Sequence, residues 1–228
     1  LFDEGIPKTD NGSGSLSILS RRHSNFCAPP SSNDSLAMAE SATCYTISPS
    51  NDSTLALEVS KTGLRRHKKH LLFFDKFSGE MRFAKNDPAA FAMTLTIDAA
   101  SAVCRDAWLS EKKRRAVAEF ARRHALAANI HPEIRFTAHS IRAKELRGFT
   151  VQGLLQIRGM GRVIKVNTLF GTMRKDCLQI DGDATLSLGD FGLPRPSAMF
   201  GLIGTKDEAA VRLLLWAIPR AEMVEAAI

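Results

Sequence analysis

Across residues 133–166 apolar and polar side chains alternate with a period of two. Ile134, Phe136 and Ala138 interleave with Arg135, Thr137 and His139. Phe149, Val151, Gly153, Leu155 and Ile157 interleave with Thr150, Gln152, Gln156 and Arg158, and Ile164 and Val166 follow Gly159-Met160-Gly161. Successive side chains of a strand point to opposite faces, so this stretch predicts three strands joined by two tight turns, each with a hydrocarbon face turned away from water. Gly159-Met160-Gly161 lacks a third glycine and opens no helix, so it reads as a hairpin turn and not a dinucleotide loop.

The same alternation predicts a strand over residues 55–59 and a long one over about 68–84, bent at Ser78-Gly79 because glycine tolerates bulge dihedrals. Further strands are predicted over 91–97, on to about Thr172, over 178–188 and over 209–217. One stretch departs from this period. Ser110 can cap a helix running to about Ala128, with Val117, Phe120, Ala121 and His124 on one face. Lys112, Lys113, Arg114 and Arg115 crowd its first turns, against the helix dipole, and His131-Pro132 ends it. The expected fold is all-β: an eight-stranded antiparallel β-barrel with a helical insertion between the third and fourth strands. Eight is a strand number that closes around one small ligand.

Composition divides the chain. Residues 1–44 carry net charge −2, and the rest carries +9 of the overall +7. Residues 1–44 are rich in Ser, Asn, Asp, Gly and Pro with no apolar period, which predicts a disordered or non-native extension. The barrel is expected over 45–219 and a short tail over 220–228. A basic domain is compatible with nucleic acid, an anionic membrane surface or an anionic ligand. With one tyrosine, two tryptophans and no basic–aromatic interleaving, nucleic acid is not expected. An anionic membrane surface and a homodimer stay open as partners. No run of 18 apolar residues predicts a membrane helix. No N-terminal apolar region marks a signal peptide, so the expectation is cytoplasmic, or periplasmic if the N-terminus is incomplete. Cys27, Cys44, Cys104 and Cys177 form no C-x-x-C pair and are expected as free thiols.

Chemistry-bearing motifs are scarce. Asp190-Phe191-Gly192 has neither a Gly-rich loop nor a His-Arg-Asp loop upstream, which excludes a kinase. His67 and His70 sit three apart, on opposite faces of a strand, so no metal is expected. Cys104 beside Arg105-Asp106 reads as a packed small hydrophobe. No catalytic residues and no cofactor are expected. Arg65, Arg66, Lys68 and Lys69 form one basic cluster and Lys112 to Arg115 another.

Ordered motifs carry a family likeness. Val59-Ser60-Lys61-Thr62-Gly63, Lys69-His70 and Phe77-Ser78-Gly79 come first. Ile97-Asp98-Ala99-Ala100-Ser101 follows, with Arg105-Asp106 before Trp108-Leu109. Next come His131-Pro132-Glu133-Ile134-Arg135-Phe136, the run from Val151 to Gly159, and Asp190-Phe191-Gly192 through Gly201-Leu202-Ile203-Gly204. In order and spacing they resemble the YceI-like family of polyisoprenoid-binding barrels over most of 45–219. The resemblance implies a bacterial, lipocalin-like antiparallel barrel that binds long amphiphiles such as polyisoprenoids, isoprenoid quinones or fatty amides without catalysis. Many relatives are implied to be periplasmic. A bound isoprenoid or other lipid-like molecule is the expected occupant. The alternative is a structural or protein-interaction barrel without a ligand. The expected ligand contacts are Leu57, Val59, Phe77, Met81, Phe83, Phe91, Met93, Leu95, Phe136, Val151, Leu155, Ile157, Leu186 and Leu213. Phe191, Met199 and Phe200 are expected in a lid.

Overall fold

The structure, a computed structural model, describes residues 42–84, 87–144, 148–173, 177–196 and 203–220. Among the described residues eleven strands form one antiparallel sheet. They are β1 (Thr43–Ile47), β2 (Thr54–Gly63), β3 (Lys69–Phe74), β4 (Phe77–Phe83), β5 (Ala92–Asp98), β6 (Ala102–Cys104), β7 (Glu133–Ala143), β8 (Phe149–Ile157), β9 (Met160–Met173), β10 (Cys177–Ser187) and β11 (Ile203–Pro219). The sheet order is β1-β4-β5-β7-β8-β9-β10-β11-β2-β3-β6, and β1 also pairs with β11. Eight strands, β1, β4, β5 and β7 to β11, therefore close on themselves. The others, β2, β3 and β6, extend from β11 as a flap. Closure joins the eight strands edge to edge, and β6 is left as the edge of the flap.

The helix α1 (Glu111–Phe120) lies between β6 and β7, which corrects its expected place between the third and fourth strands. Six strands precede it where three were expected. β1 and β6 are short and show no clear alternation. The stretch 68–84 is also two strands, broken at Asp75-Lys76 and not at Ser78-Gly79. Gly79 has another purpose: a Cβ there would lie 2.6 Å from the Thr94 carbonyl oxygen on β5. β1 begins at Thr43, so two residues assigned to the N-terminal extension belong to the barrel. Residues 1–41 and 221–228 lie outside the described residues. Cys104 and Cys177 are free thiols, but Cys44 is disulfide-bonded, which corrects the expectation of four free thiols.

α1 begins after Ser110, as its sequence predicts, although the Ser110 side chain makes no capping bond. A π-turn over Ala121–Ala125 then adds a residue to the helical period, with Leu126 N–H donating to Ala121 O at 2.8 Å. Such a turn rotates everything beyond it. His124 is thereby exposed rather than inward, and Leu126 is buried in its place. The helix covers the β3–β6 flap through Val117, Ala118 and Ala121, which pack with Leu72 and Cys104.

The β8–β9 hairpin turns at Arg158-Gly159, since Ile157 pairs with Met160. Both turn residues have positive φ, 52° and 76°, as a two-residue hairpin loop requires. Glycine bears this freely, whereas an L side chain resists it. Arg158 is held there by its own guanidinium, which donates to Ala125 O at 3.2 Å and Gly192 O at 3.0 Å. One side chain thus ties the hairpin to the end of the π-turn and to the loop after β10.

That loop depends on Asp207. Its carboxylate accepts from Ser187 Oγ at 2.7 Å and Gly189 N–H at 2.9 Å, with Arg195 at 3.5 Å. These partners, the Ser187 hydroxyl foremost, hold the Asp207 carboxyl below its ordinary value. A depressed carboxyl stabilises the fold above its unfolded pKa, and the gain is lost as pH falls through the folded value. Asp207→Asn is therefore expected to melt below the parent at neutral pH. The gap should close as pH drops from about 4, the ordinary carboxyl range, into more acid solution. Thermal melts against pH check this; a gap unchanged down to pH 2 would contradict it.

Candidate functional site

Inward-facing residues of β2, β5 and β7 to β11 meet around a cavity of about 110 Å³. Its wall is hydrocarbon apart from Thr168, a buried residue whose hydroxyl donates to Phe149 O at 3.4 Å. Among the described residues no charged side chain lines it. At one end, rings of Phe83, Phe149 and Phe170 meet edge to face and tilted, with centroids 4.9–6.0 Å apart. At the other end Leu126, Leu188, Phe191 and Leu193 close the space beneath the loop that Arg158 and Asp207 hold. β1 and β4 contribute nothing to the wall. Ile47 and Met81 on those strands are fully buried, so that side of the barrel is packed solid.

Leu57, Met93, Leu95, Phe136, Val151, Leu155, Ile157, Leu186, Phe191 and Leu213 line the cavity. Val59, Phe77, Met81 and Phe91 are buried in the surrounding core without reaching it. Phe83 stands in the aromatic trio at one end, outside the wall. Met199 and Phe200 lie outside the described residues. Sequence reading missed Leu126, which only the π-turn delivers, and Ile164, Val166 and Phe170, which the long alternation of β9 could have supplied.

A second feature lies under α1, beside this wall. Asp106 is 2 % exposed. Its Oδ1 accepts from Leu71 N–H at 2.7 Å, and its Oδ2 is 2.5 Å from His70 Nδ1. Trp108 stacks on His70 at 5.5 Å and donates its indole N–H to Lys69 O at 3.0 Å. Donor atoms of His70, Cys104 and Asp106 lie within 4.8 Å of one another. Cys104 and Asp106 lie more than thirty residues from His70 in sequence, so no local motif joins the three. Three mixed donors fall short of a four-ligand structural zinc site. Both Asp106 oxygens already have partners. Burial pushes the Cys104 thiol up to about 11, so it is not a ready nucleophile. The arrangement links β3 to the segment after β6. Leu57 packs against both the group under the helix and the barrel core, and it lines the cavity.

Eight antiparallel strands closed around a hydrocarbon-walled interior define a closed antiparallel β-barrel. The family model of the YceI-like domain matches residues 45–215, and the chain belongs to that family. Among solved structures, BcnA of Burkholderia cenocepacia is similar at 18% identity and a TM-score of 0.58, covering 72% of this chain and 95% of that one. A polyisoprenoid binding domain from Saccharophagus degradans, implicated in plant cell wall breakdown, is similar at 13% identity and a TM-score of 0.55, covering 77% and 98%. These two likenesses bear on the fold. No curated protein sequence matches the chain.

Proposed function

We propose that the barrel binds and carries a long-chain amphiphile, such as a polyisoprenoid, isoprenoid quinone or fatty amide, without catalysis and without a cofactor. The observation behind this reading is the wall: an interior walled by hydrocarbon, with Thr168 as its one polar residue among the described residues. An enzyme needs convergent polar groups at its reacting centre, and this wall offers none. Burying each methylene of a chain is worth about 0.8 kcal/mol, so a many-carbon tail binds there with no polar anchor. The Saccharophagus degradans relative is a polyisoprenoid binding domain, which supports the same ligand class.

The cavity volume favours a second reading. An apolar cavity of about 150 Å³ accommodates benzene, and 110 Å³ is smaller. A long chain enters only if wall side chains swing aside, and Leu, Met and Phe have the rotamer freedom to do so. The rival is a structural or interaction barrel whose interior stays closed.

Native mass spectrometry after gentle extraction separates the two. On the carrier reading the parent protein holds an apolar adduct. Ala184 lines the cavity and is buried; Ala184→Leu adds three carbon atoms to that space, so the adduct is lost while the melting temperature stays within a few degrees. On the closed-barrel reading neither protein carries or takes up lipid, and the carrier proposal fails.

A further inference from the structure

The two basic clusters, distant in sequence, meet at one end of the barrel. The first rides on the β2–β3 hairpin. Its turn is built: Gly63 takes φ 65°, Arg66 N–H donates to Gly63 O at 3.1 Å, and Lys68 N–H donates to Arg65 O at 2.8 Å. The second occupies the first turns of α1. Trp108 joins them. Its indole bonds the Lys69 carbonyl, Lys68 Nζ stands 5.6 Å from its ring centroid, and α1 begins three residues further on. Strand register places this end with the cap over the cavity, because Gly63 pairs with Ile203 while Ser187, the last residue of β10, pairs with Glu208.

The charges here are poorly compensated. Among the described residues no acid lies within ion-pair distance of Arg65, Arg66, Lys68, Lys112, Lys113 or Arg114; Glu58 engages Lys69, and Glu111 engages Arg115. Crowding is felt nearby, since burial and then the Arg65 charge hold Lys61 below its ordinary value, against the opposing pull of Asp106. The patch also carries apolar groups. Leu64, at the hairpin tip, is 68 % exposed, and Trp108 is half-buried between Lys68 and His70. Cations around an exposed leucine and a wedged indole match an anionic bilayer surface, where charge attracts headgroups and apolar tips enter the interface. A nucleic-acid backbone would use the cations and leave Leu64 without a role.

We infer that the β2–β3 hairpin tip and the start of α1 form a docking surface for anionic phospholipid membranes, seating the capped end of the barrel against the bilayer. This rests on surface residues alone and holds whether or not the interior carries cargo.

Co-sedimentation with phosphatidylcholine vesicles, with and without about one-third phosphatidylglycerol, tests it. Binding is expected only to the anionic vesicles and is expected to weaken with salt. Each cation at such a surface contributes roughly fivefold, so Arg65→Ser with Arg66→Ser should weaken partition about 25-fold. Leu64→Ser should weaken vesicle binding and leave binding to duplex DNA unchanged. In a Trp216→Phe background, bromine-labelled lipid should quench Trp108. The inference is overturned by no binding to anionic vesicles at low salt, by equal binding to both vesicle types, or by binding to DNA with none to vesicles. Melting curves of each variant show whether the fold is intact. Because the surface residues are solvent-facing, Arg65→Lys with Arg66→Lys keeps the charge and should restore binding.

Discussion

Asp106→Ala is expected to lower unfolding stability by about 1–3 kcal/mol for each buried donor it leaves without an acceptor. Asp106 is buried, and each of its oxygens has a specific partner. Alanine leaves the Leu71 N–H and the His70 ring without acceptors beneath α1. An orphaned buried donor alone costs about 1–3 kcal/mol. Asp106→Asn keeps an acceptor for Leu71 and should lose less. Urea unfolding of both variants checks the ranking. If alanine cost under 0.5 kcal/mol, as an exposed pair would, the group under the helix would contribute nothing to holding β3 against β6.

Any side chain at Gly153 is expected to destabilise the barrel. A Cβ there would lie 2.6 Å from Thr137 O and 2.7 Å from two ring atoms of Phe136. The ring can turn; the carbonyl cannot move without breaking the β7–β8 ladder beside the irregularity at Ala138/Ser140. Gly153→Ala should cost about 1–3 kcal/mol, the usual toll of overpacking, and Gly153→Leu more. Denaturant midpoints with unchanged slopes would report it. A leucine at 153 therefore cannot plug the interior of an intact barrel, which is why Ala184 is the residue to enlarge.

The alternation along β8 was legible because burial follows it residue by residue, from Val151 to Ile157. Period fixes which face of a strand is inward. It does not say how far along the barrel an open space extends, and so it nominates Phe77, Met81 and Phe91 as wall residues although they are buried in the core beyond the cavity. β6 has three residues and β1 five, too few for a period to emerge. The π-turn was illegible for another reason. Hydrophobic spacing assumes 3.6 residues per turn, and the one extra residue sends Leu126 inward and His124 outward. The His70–Asp106 bond joins residues 36 apart, a contact no local pattern encodes. The basic clusters were plain in sequence, but only Trp108 shows that they share a surface.

β11 pairs with β10, β2 and β1, and its end sets Pro219 opposite Tyr45. In synthesis, β1 leaves the ribosome well before the strand that seals it. Until β11 docks, the edges of β10, β2 and β1 stand open together and the interior is a trough, not a chamber. Closure then requires bringing together residues far apart in sequence, which puts folding in the slow regime of non-local β-proteins, roughly milliseconds to seconds. The interval exposes the nascent sheet to aggregation, and it is also the time when a greasy chain meets the least resistance to being enclosed.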